Sequence, residues 1–290
     1  MPDLLFKLIS AVDGLGLQAY GWITPEPRAT VVIAHGAAEH ALRYERFATA
    51  VKAAGYNVLA VDHRGHGASS PPERLGDYGD SGWNGLVADL GQLVAQARVT
   101  GEGRPVVLFG HSMGAMAAQQ LAPDCSTEIA ALILSGTTAR EVPALGDPPP
   151  VFAPNAPFEP GARTNYDWLS RDEAEVDTYI ADPLCGFETR AVEGQRADPA
   201  VLADPERLGR IRPDLPCLFV AGIDDPVNRK LEGLDLLEER WRAAGLRHID
   251  TAYYRGGRHE MLNETNRDEV TADIIRWIGV NAVRGVAANG

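Results

Sequence analysis

Short runs of apolar and β-branched residues alternate with longer amphipathic segments along most of the chain. Most of the short runs are apolar at nearly every position, which is typical of strands buried on both faces of a parallel sheet. Two earlier runs, near residues 6–9 and 17–23, predict a hairpin that leads into the sheet. The six main strands are predicted at residues 30–36, 56–65, 105–110, 130–136, 216–222 and 250–257.

The segments between the predicted strands have the periodicity of helices. In one of them Leu234, Leu237 and Trp241 fall at i, i+3 and i+7, so that they form one apolar face. Strands that alternate with helices in this way predict an α/β fold with a mostly parallel, doubly wound sheet. Helices are predicted at residues 44–54, 82–99, 113–121, 230–244 and 266–280.

The alternation stops in the middle of the chain. Residues 142–161 contain seven prolines, which remove backbone donors and prevent a regular helix. Two short helices follow, near residues 168–181 and 199–207. We expect residues 140–212 to be an inserted cap over the sheet edge, and residues 1–139 and 213–290 to form the core. The last seven residues are expected to form a frayed tail.

Composition narrows the classes of function. The chain has 290 residues, of which 45% are hydrophobic, and a formal net charge of −13. This charge argues against binding to nucleic acid or to anionic lipid, and no apolar run is long enough for a transmembrane helix. The N-terminus does not resemble a secretory signal. Three widely spaced cysteines predict free thiols in a cytoplasmic protein, without a disulfide or a zinc site: Cys125, Cys185 and Cys217.

The sequence GHSMG at residues 110–114 matches the pattern G-x-S-x-G, with Ser112 at its centre. A strand is predicted before it and a helix after it, which is the context of a nucleophile elbow. The helix N-terminus would direct free N–H groups towards the serine. The alternative is an ordinary glycine turn with a serine cap. A phosphate-binding loop is excluded because no Lys-Ser/Thr pair follows.

A serine nucleophile needs a histidine base, which in this fold follows the serine and the acid in the chain. Of the two histidines that follow Ser112, His248 precedes the last strand and His259 follows it. Only His259 is expected at the same sheet edge as Ser112. The other five are excluded by their order in the chain: His35, His40, His63, His66 and His111.

The acid is predicted just after the strand at 216–222, where Asp224 and Asp225 stand side by side. Asp225 is favoured because it precedes Pro226, whose fixed φ suits a turn that directs the preceding side chain. Asp62, which follows an earlier strand, is a further alternative.

An oxyanion formed in acyl transfer needs two backbone N–H donors. Met113 follows the serine, and Ala37 lies in a loop of small residues after the strand at 30–36; we predict their amides as the donors. We predict no metal site, since two groups that resemble ligand sets are incomplete: His35 with Glu39 and His40, and Asp62 with His63 and His66.

Five motifs follow one another along the chain: HGAAEHALRY, VDHRGHGAS, GHSMGA, GIDDPV and GGRHEMLNE. Together they resemble the monoacylglycerol lipase and lysophospholipase branch of the α/β-hydrolases. The resemblance spans roughly residues 30–265 and implies a triad of Ser112, Asp225 and His259. It also implies Ala37 and Met113 as oxyanion donors and a cap that shapes the acyl pocket.

The chain departs from this branch in two places. Ala115 stands where the branch usually has a second glycine, and the cap is rich in proline rather than carrying an apolar helix. Its aromatic residues Phe152, Phe158 and Trp168 are scattered. Residues 179–187 resemble cap sequences of bacterial relatives, and we expect them to line the pocket mouth. This pattern favours dispersed esters over a lipid surface.

We therefore predict a serine carboxylester hydrolase that acts through an acyl-enzyme on short- to medium-chain acyl esters. It would use no cofactor, bind a small-molecule ester, and neither bind nucleic acid nor insert stably in a membrane. One alternative uses the same triad for thioester, amide, perhydrolase or C–C bond chemistry. Another is a non-catalytic binding protein. Aspartate-nucleophile chemistry is disfavoured because residue 112 is serine.

Overall fold

The computed structural model describes residues 1–141, 153–189 and 194–283, and its centre is an eight-stranded sheet. The strand order is β1-β2-β4-β3-β5-β6-β7-β8. The strands are β1 (Leu4–Ile9), β2 (Gly16–Trp22), β3 (Thr30–Ala34), β4 (Asn57–Val61), β5 (Val106–His111), β6 (Ala131–Ser135), β7 (Cys217–Gly222) and β8 (Ile249–Tyr254).

Strand direction decides which loops meet. β2 is antiparallel to both of its neighbours, β1 and β4, whereas β3 to β8 are parallel to one another. The carboxyl ends of these six strands therefore meet at one edge of the sheet, where open α/β sheets bind ligands. The predicted leading hairpin and the mostly parallel sheet are both confirmed.

Helices cover both faces of the sheet. The apolar residues of α2, α3 and α7 pack on one face, and those of α1 and α8 pack on the other, which confirms the doubly wound arrangement. The helices are α1 (Glu45–Ala53), α2 (Gly82–Thr100), α3 (Met113–Cys125), α4 (Glu173–Ala181), α5 (Pro199–Ala203), α6 (Pro205–Leu208), α7 (Glu232–Ala243) and α8 (Arg267–Ile278).

The central strand β5 shows why the predicted strands are apolar at nearly every position. Val106 and Leu108 belong to the core beneath α2 and α3, while Val107 and Phe109 belong to the opposite core. The ring of Phe109 lies 5.3 Å from that of Phe47 in α1. Because successive side chains of a strand point to opposite faces, only a strand covered on both sides can bury all four.

The helices α4, α5 and α6 lie in sequence between β6 and β7, where the sequence predicts an insert. Each begins after an aspartate whose side chain accepts a helix-start amide: Asp172, Asp198 and Asp204. The first predicted short helix is present but begins at Glu173 rather than near residue 168, and the second is divided into α5 and α6. The cap boundaries at 140 and 212 stay predictions. Most of the proline-rich run and the predicted frayed tail lie outside the described residues. No described helix is both long and apolar enough to span a membrane.

Candidate active site

Ser112 lies at the junction of β5 and α3, at the carboxyl edge of the sheet. Its φ of 51° and ψ of −113° lie outside the regions that a serine ordinarily adopts, which costs of order 1–3 kcal/mol. Two backbone hydrogen bonds hold it there: its amide donates to the Ser135 carbonyl at 2.9 Å, and its carbonyl accepts from the Met116 amide at 3.1 Å. The turn therefore has the strained geometry of a nucleophile elbow.

The glycines on either side of this turn are required by sterics. A Cβ on Gly110 would lie 2.6 Å from the Gly114 carbonyl oxygen, and one on Gly114 would overlap the Ala34 carbonyl oxygen. Both separations are shorter than a non-bonded contact. Residues without a side chain at these two positions let α3 pack directly against β5 and β3.

His259 and Asp225 form a buried pair beside the elbow. Nδ1 of His259 lies 3.0 Å from Oδ2 of Asp225, and the two side chains are almost fully buried. The other oxygen of Asp225, Oδ1, accepts the Val227 amide at 2.8 Å. Asp224 is exposed, so the structure pairs Asp225 rather than its neighbour with the histidine.

The surroundings of His259 favour its protonated form. Burial by itself lowers the pKa of the imidazole, but the charge and hydrogen bond of Asp225, together with the charges of Glu260 and Glu39, raise it overall. The ring lies 4.8 Å from that of His111, the residue before the serine, and 4.9 Å from that of Trp168. His259 is therefore enclosed between the elbow and the insert.

Asp62, the alternative acid, is occupied elsewhere. Its carboxylate accepts hydrogen bonds from the Tyr20 hydroxyl and from the amides of Ala41 and Ala68, at 2.8–2.9 Å. These contacts organise the glycine-rich loop after β4.

The two predicted oxyanion donors lie on loops at the same edge. Met113 is the first residue of α3, so its amide has no acceptor one turn earlier in the helix. Ala37 is exposed in the loop after β3, and the next amide, that of Ala38, donates to Nε2 of His66 at 3.2 Å. Burial lowers the pKa of His66 to about 3, so its ring is neutral and can accept this bond.

A buried charge network beneath the site was missed from the sequence. Arg43 donates to Glu39 at 2.7 Å and to both oxygens of Glu260 at 2.6 and 2.7 Å. Glu39 also accepts the Gly36 amide. The network thus joins the loop that carries Ala37 to the loop that carries the histidine. The i, i+4 spacing of Glu39 and Arg43 was the available signal.

The histidines first weighed as metal ligands have other contacts. The rings of His63 and His66 lie 4.3 and 5.1 Å from that of His35, and the His63 amide donates to Nε2 of His35 at 3.0 Å. Within the three described ranges, the group of side chains that could hold a metal shares only His40 with the two sets first weighed: His40, Asp182 and Cys185.

Comparison with known proteins gives consistent results. Residues 25–266 match the family described as serine aminopeptidase, S33. A monoacylglycerol lipase of Mycolicibacterium smegmatis is 32% identical over 93% of this chain and 95% of its own. A rat monoglyceride lipase is 32% identical over 91% of this chain and 85% of its own.

A solved structure is also similar over nearly its whole length. The thermostable carboxyl esterase of Bacillus coagulans, determined with glycerol, has a TM-score of 0.83 and 27% identity, and the match covers 97% of this chain and 99% of that one. This similarity confirms the α/β-hydrolase fold that the sequence predicted.

Proposed function

Because the chain belongs to the α/β-hydrolase family described as serine aminopeptidase, S33, we propose that Ser112, Asp225 and His259 form a catalytic triad that hydrolyses short- to medium-chain acyl esters. The relatives named lipases and esterases support the class, and the chain is a carboxylic ester hydrolase. The observation that carries the triad is the buried His259–Asp225 pair beside the strained serine turn.

The proposed reaction has two stages, the formation of an acyl-enzyme and its hydrolysis, and the same groups act in both. Ser112 Oγ attacks the ester carbonyl while Nε2 of His259 takes its proton, and the amides of Ala37 and Met113 bind the oxyanion. The imidazolium then protonates the leaving alcohol, which leaves an acyl-enzyme. Water, deprotonated by the same nitrogen, releases the acid and restores the serine. Asp225 keeps the proton on Nδ1 throughout.

The outer face of helix α4 supports the proposal that the substrates are dispersed esters rather than a lipid surface. Helix α4 turns Val176 and Tyr179 inward, and its outer face carries Glu173, Asp177 and the single exposed large apolar residue Ile180. An acidic outer face and a net charge of −13 oppose docking on anionic bilayers. A membrane-binding helix would instead present a broad apolar face with basic residues.

The proposed setting is the cytoplasm, with a small-molecule ester as the partner. All three cysteines are free thiols, of which Cys125 and Cys217 are buried. Free thiols are compatible with a reducing compartment.

A substrate panel tests the proposal. Initial rates on p-nitrophenyl esters and monoacylglycerols of increasing acyl length, with and without detergent, are expected to be highest for short and medium chains. Thioester and amide analogues of the best ester serve as matched controls. A preference for long chains, or faster cleavage of the thioester or amide, would contradict the proposed substrate class.

A short triacylglycerol measured across its solubility limit adds a second criterion. The proposal expects no sharp rise in rate when droplets form. A steep rise only above the limit, with co-sedimentation on neutral lipid vesicles, would identify an interfacial lipase instead.

A further inference from the structure

A tight turn follows α4 and places two ligating side chains next to each other. The Leu184 amide donates to Oδ1 of Asp182 at 2.8 Å, and the Cys185 amide donates to the Asp182 carbonyl at 3.0 Å. The turn is fixed to the loop after β3, because the Gly186 amide donates to the Ala38 carbonyl at 2.9 Å. Asp182 and Cys185 are therefore held in place by backbone bonds.

A histidine from the loop after β3 completes the group. Nε2 of His40 lies 2.9 Å from Oδ2 of Asp182. Ligand atoms of His40, Asp182 and Cys185 all lie within 4.8 Å of one another. His40 is buried, whereas Asp182 and Cys185 are half-buried, so the group is ordered on one side and reachable from solvent on the other.

These donors have the chemistry of a zinc site. Imidazole nitrogen, carboxylate oxygen and thiolate sulfur are the ligands that Zn²⁺ takes, at about 2.0–2.3 Å in a tetrahedron, so that ligand atoms lie roughly 3.3–3.8 Å apart. Three ligand atoms that all lie within 4.8 Å of one another are close to that spacing. One carboxylate oxygen is too few for Ca²⁺ or Mg²⁺, which need oxygen ligands.

Nearby charges also suit a divalent cation. Arg43 is a positive group close to Cys185 and Asp182, but its guanidinium is bound by both oxygens of Glu260 and by Glu39. The carboxylates that act on Cys185, those of Asp182, Glu39 and Glu260, outnumber this guanidinium. The local field therefore attracts a cation.

We propose that His40, Asp182 and Cys185 bind one Zn²⁺ ion at the junction of the insert and the core. None of these ligands belongs to the proposed triad. Binding replaces the S–H bond of Cys185 with a metal–sulfur bond and releases that proton to solvent. The ring proton of His40 moves from Nε2, where it is bonded to Asp182, to Nδ1, and Nε2 then donates its lone pair to the ion. Water fills the fourth position. The ion cross-links the turn after α4 to the loop that carries Ala37.

Metal binding to the full chain, without a tag and after chelator treatment, tests the site. Titration of Zn²⁺ against a chromophoric chelator is expected to show one tight equivalent, and Co²⁺ is expected to give a near-ultraviolet thiolate-to-metal band. Cys185→Ser removes that band, and Cys185→Ser and Asp182→Asn each weaken binding at least about tenfold. Circular dichroism confirms that each variant is folded.

Cys125→Ser is the matched control, since it removes a buried thiol away from the group. It is expected to leave both the affinity and the Co²⁺ band unchanged. The proposal is overturned if Cys185→Ser binds Zn²⁺ as tightly as the unaltered chain does, or if the thiolate band survives in Cys185→Ser. Equal binding of Mg²⁺ would overturn it too.

Discussion

Replacing Asp225 with asparagine is expected to reverse the tautomer of His259 without disturbing the turn. Oδ1 of Asp225 accepts the Val227 amide at 2.8 Å, and the carbonyl oxygen of the introduced asparagine can keep that bond. The amide nitrogen then faces Nδ1 of His259, which lies 3.0 Å from Oδ2 in the unaltered chain. Because that nitrogen donates, Nδ1 must accept, and the ring proton moves to Nε2.

A histidine protonated at Nε2 has no lone pair to take the proton of Ser112. The expected loss in kcat is about 10⁴-fold, the size associated with a wrong tautomer. At about 1.36 kcal/mol for each tenfold change, this equals about 5.4 kcal/mol of transition-state stabilisation. Stability changes far less, by about 1 kcal/mol, because the shapes match and the Val227 bond remains.

The assay is steady-state hydrolysis of a medium-chain p-nitrophenyl ester by Asp225→Asn and by its neighbour Asp224→Asn. Asp224 is exposed, so its replacement is expected to alter the rate by no more than about twofold, which corresponds to about 0.4 kcal/mol. Activity of Asp225→Asn within tenfold of the unaltered enzyme, or a larger loss in Asp224→Asn, would refute the reasoning.

The raised pKa of His259 predicts that kcat/KM falls as the pH decreases through a midpoint above 6.5, because the protonated ring cannot act as a base. A pH–rate profile with a midpoint below 6.5 would contradict this prediction. Gly114→Ala places a Cβ against a β3 carbonyl and should cost about 1–3 kcal/mol in urea unfolding, unlike Gly161→Ala, whose Cβ has room. The Glu264 carboxylate is fully buried and is bound by the Arg171 guanidinium and the Arg258 amide, so Glu264→Gln should lower the free energy of unfolding by about 3 kcal/mol. The matched control Glu239→Gln, at an exposed position, should leave it unchanged, and equal unfolding midpoints for the two variants would refute this prediction. Ester hydrolysis should continue unchanged in a chelator, because the proposed triad uses no metal. A loss restored by zinc in Cys185→Ser as well as in the unaltered chain would show a catalytic metal.

The fold could be predicted because its main signal is local. Strands covered on both faces are apolar throughout, and each predicted strand and long helix has its counterpart in the structure. The ends were less accurate, as in the helix predicted from residue 230, which begins at Glu232. Arg229, Lys230 and Leu231 adopt positive φ values of 54°, 57° and 75°, and nothing in their side chains signals this conformation.

The candidate triad could be predicted for a different reason. Parallel strands bring their carboxyl ends to one edge, so residues that follow separate strands become neighbours whatever their distance in sequence. Chain order then selected His259, and the proline after Asp225 selected the acid. The structure places these two in contact, and the catalytic role of the three residues stays a prediction.

Contacts between loops and the insert could not be predicted. Trp168 lies against His259, and Arg43 joins Glu39 to Glu260. The i, i+4 spacing signals the pairing of Glu39 with Arg43, but nothing in the sequence signals the contacts with Glu260 and Trp168. Their partners are set by how loops fold over the sheet edge. Polar residues in loops give no signal of which distant residue they will meet.

Covalent labelling of Ser112 tests the central claim most directly. The full chain is treated with one equivalent of a fluorophosphonate, and its intact mass, the labelled peptide and the residual ester hydrolysis are measured together, with Ser112→Ala as the control. The account predicts one phosphonyl group on Ser112, loss of hydrolysis in proportion to labelling, and neither labelling nor hydrolysis in Ser112→Ala. Labelling at another residue, or hydrolysis by Ser112→Ala within tenfold of the unaltered enzyme, would contradict it.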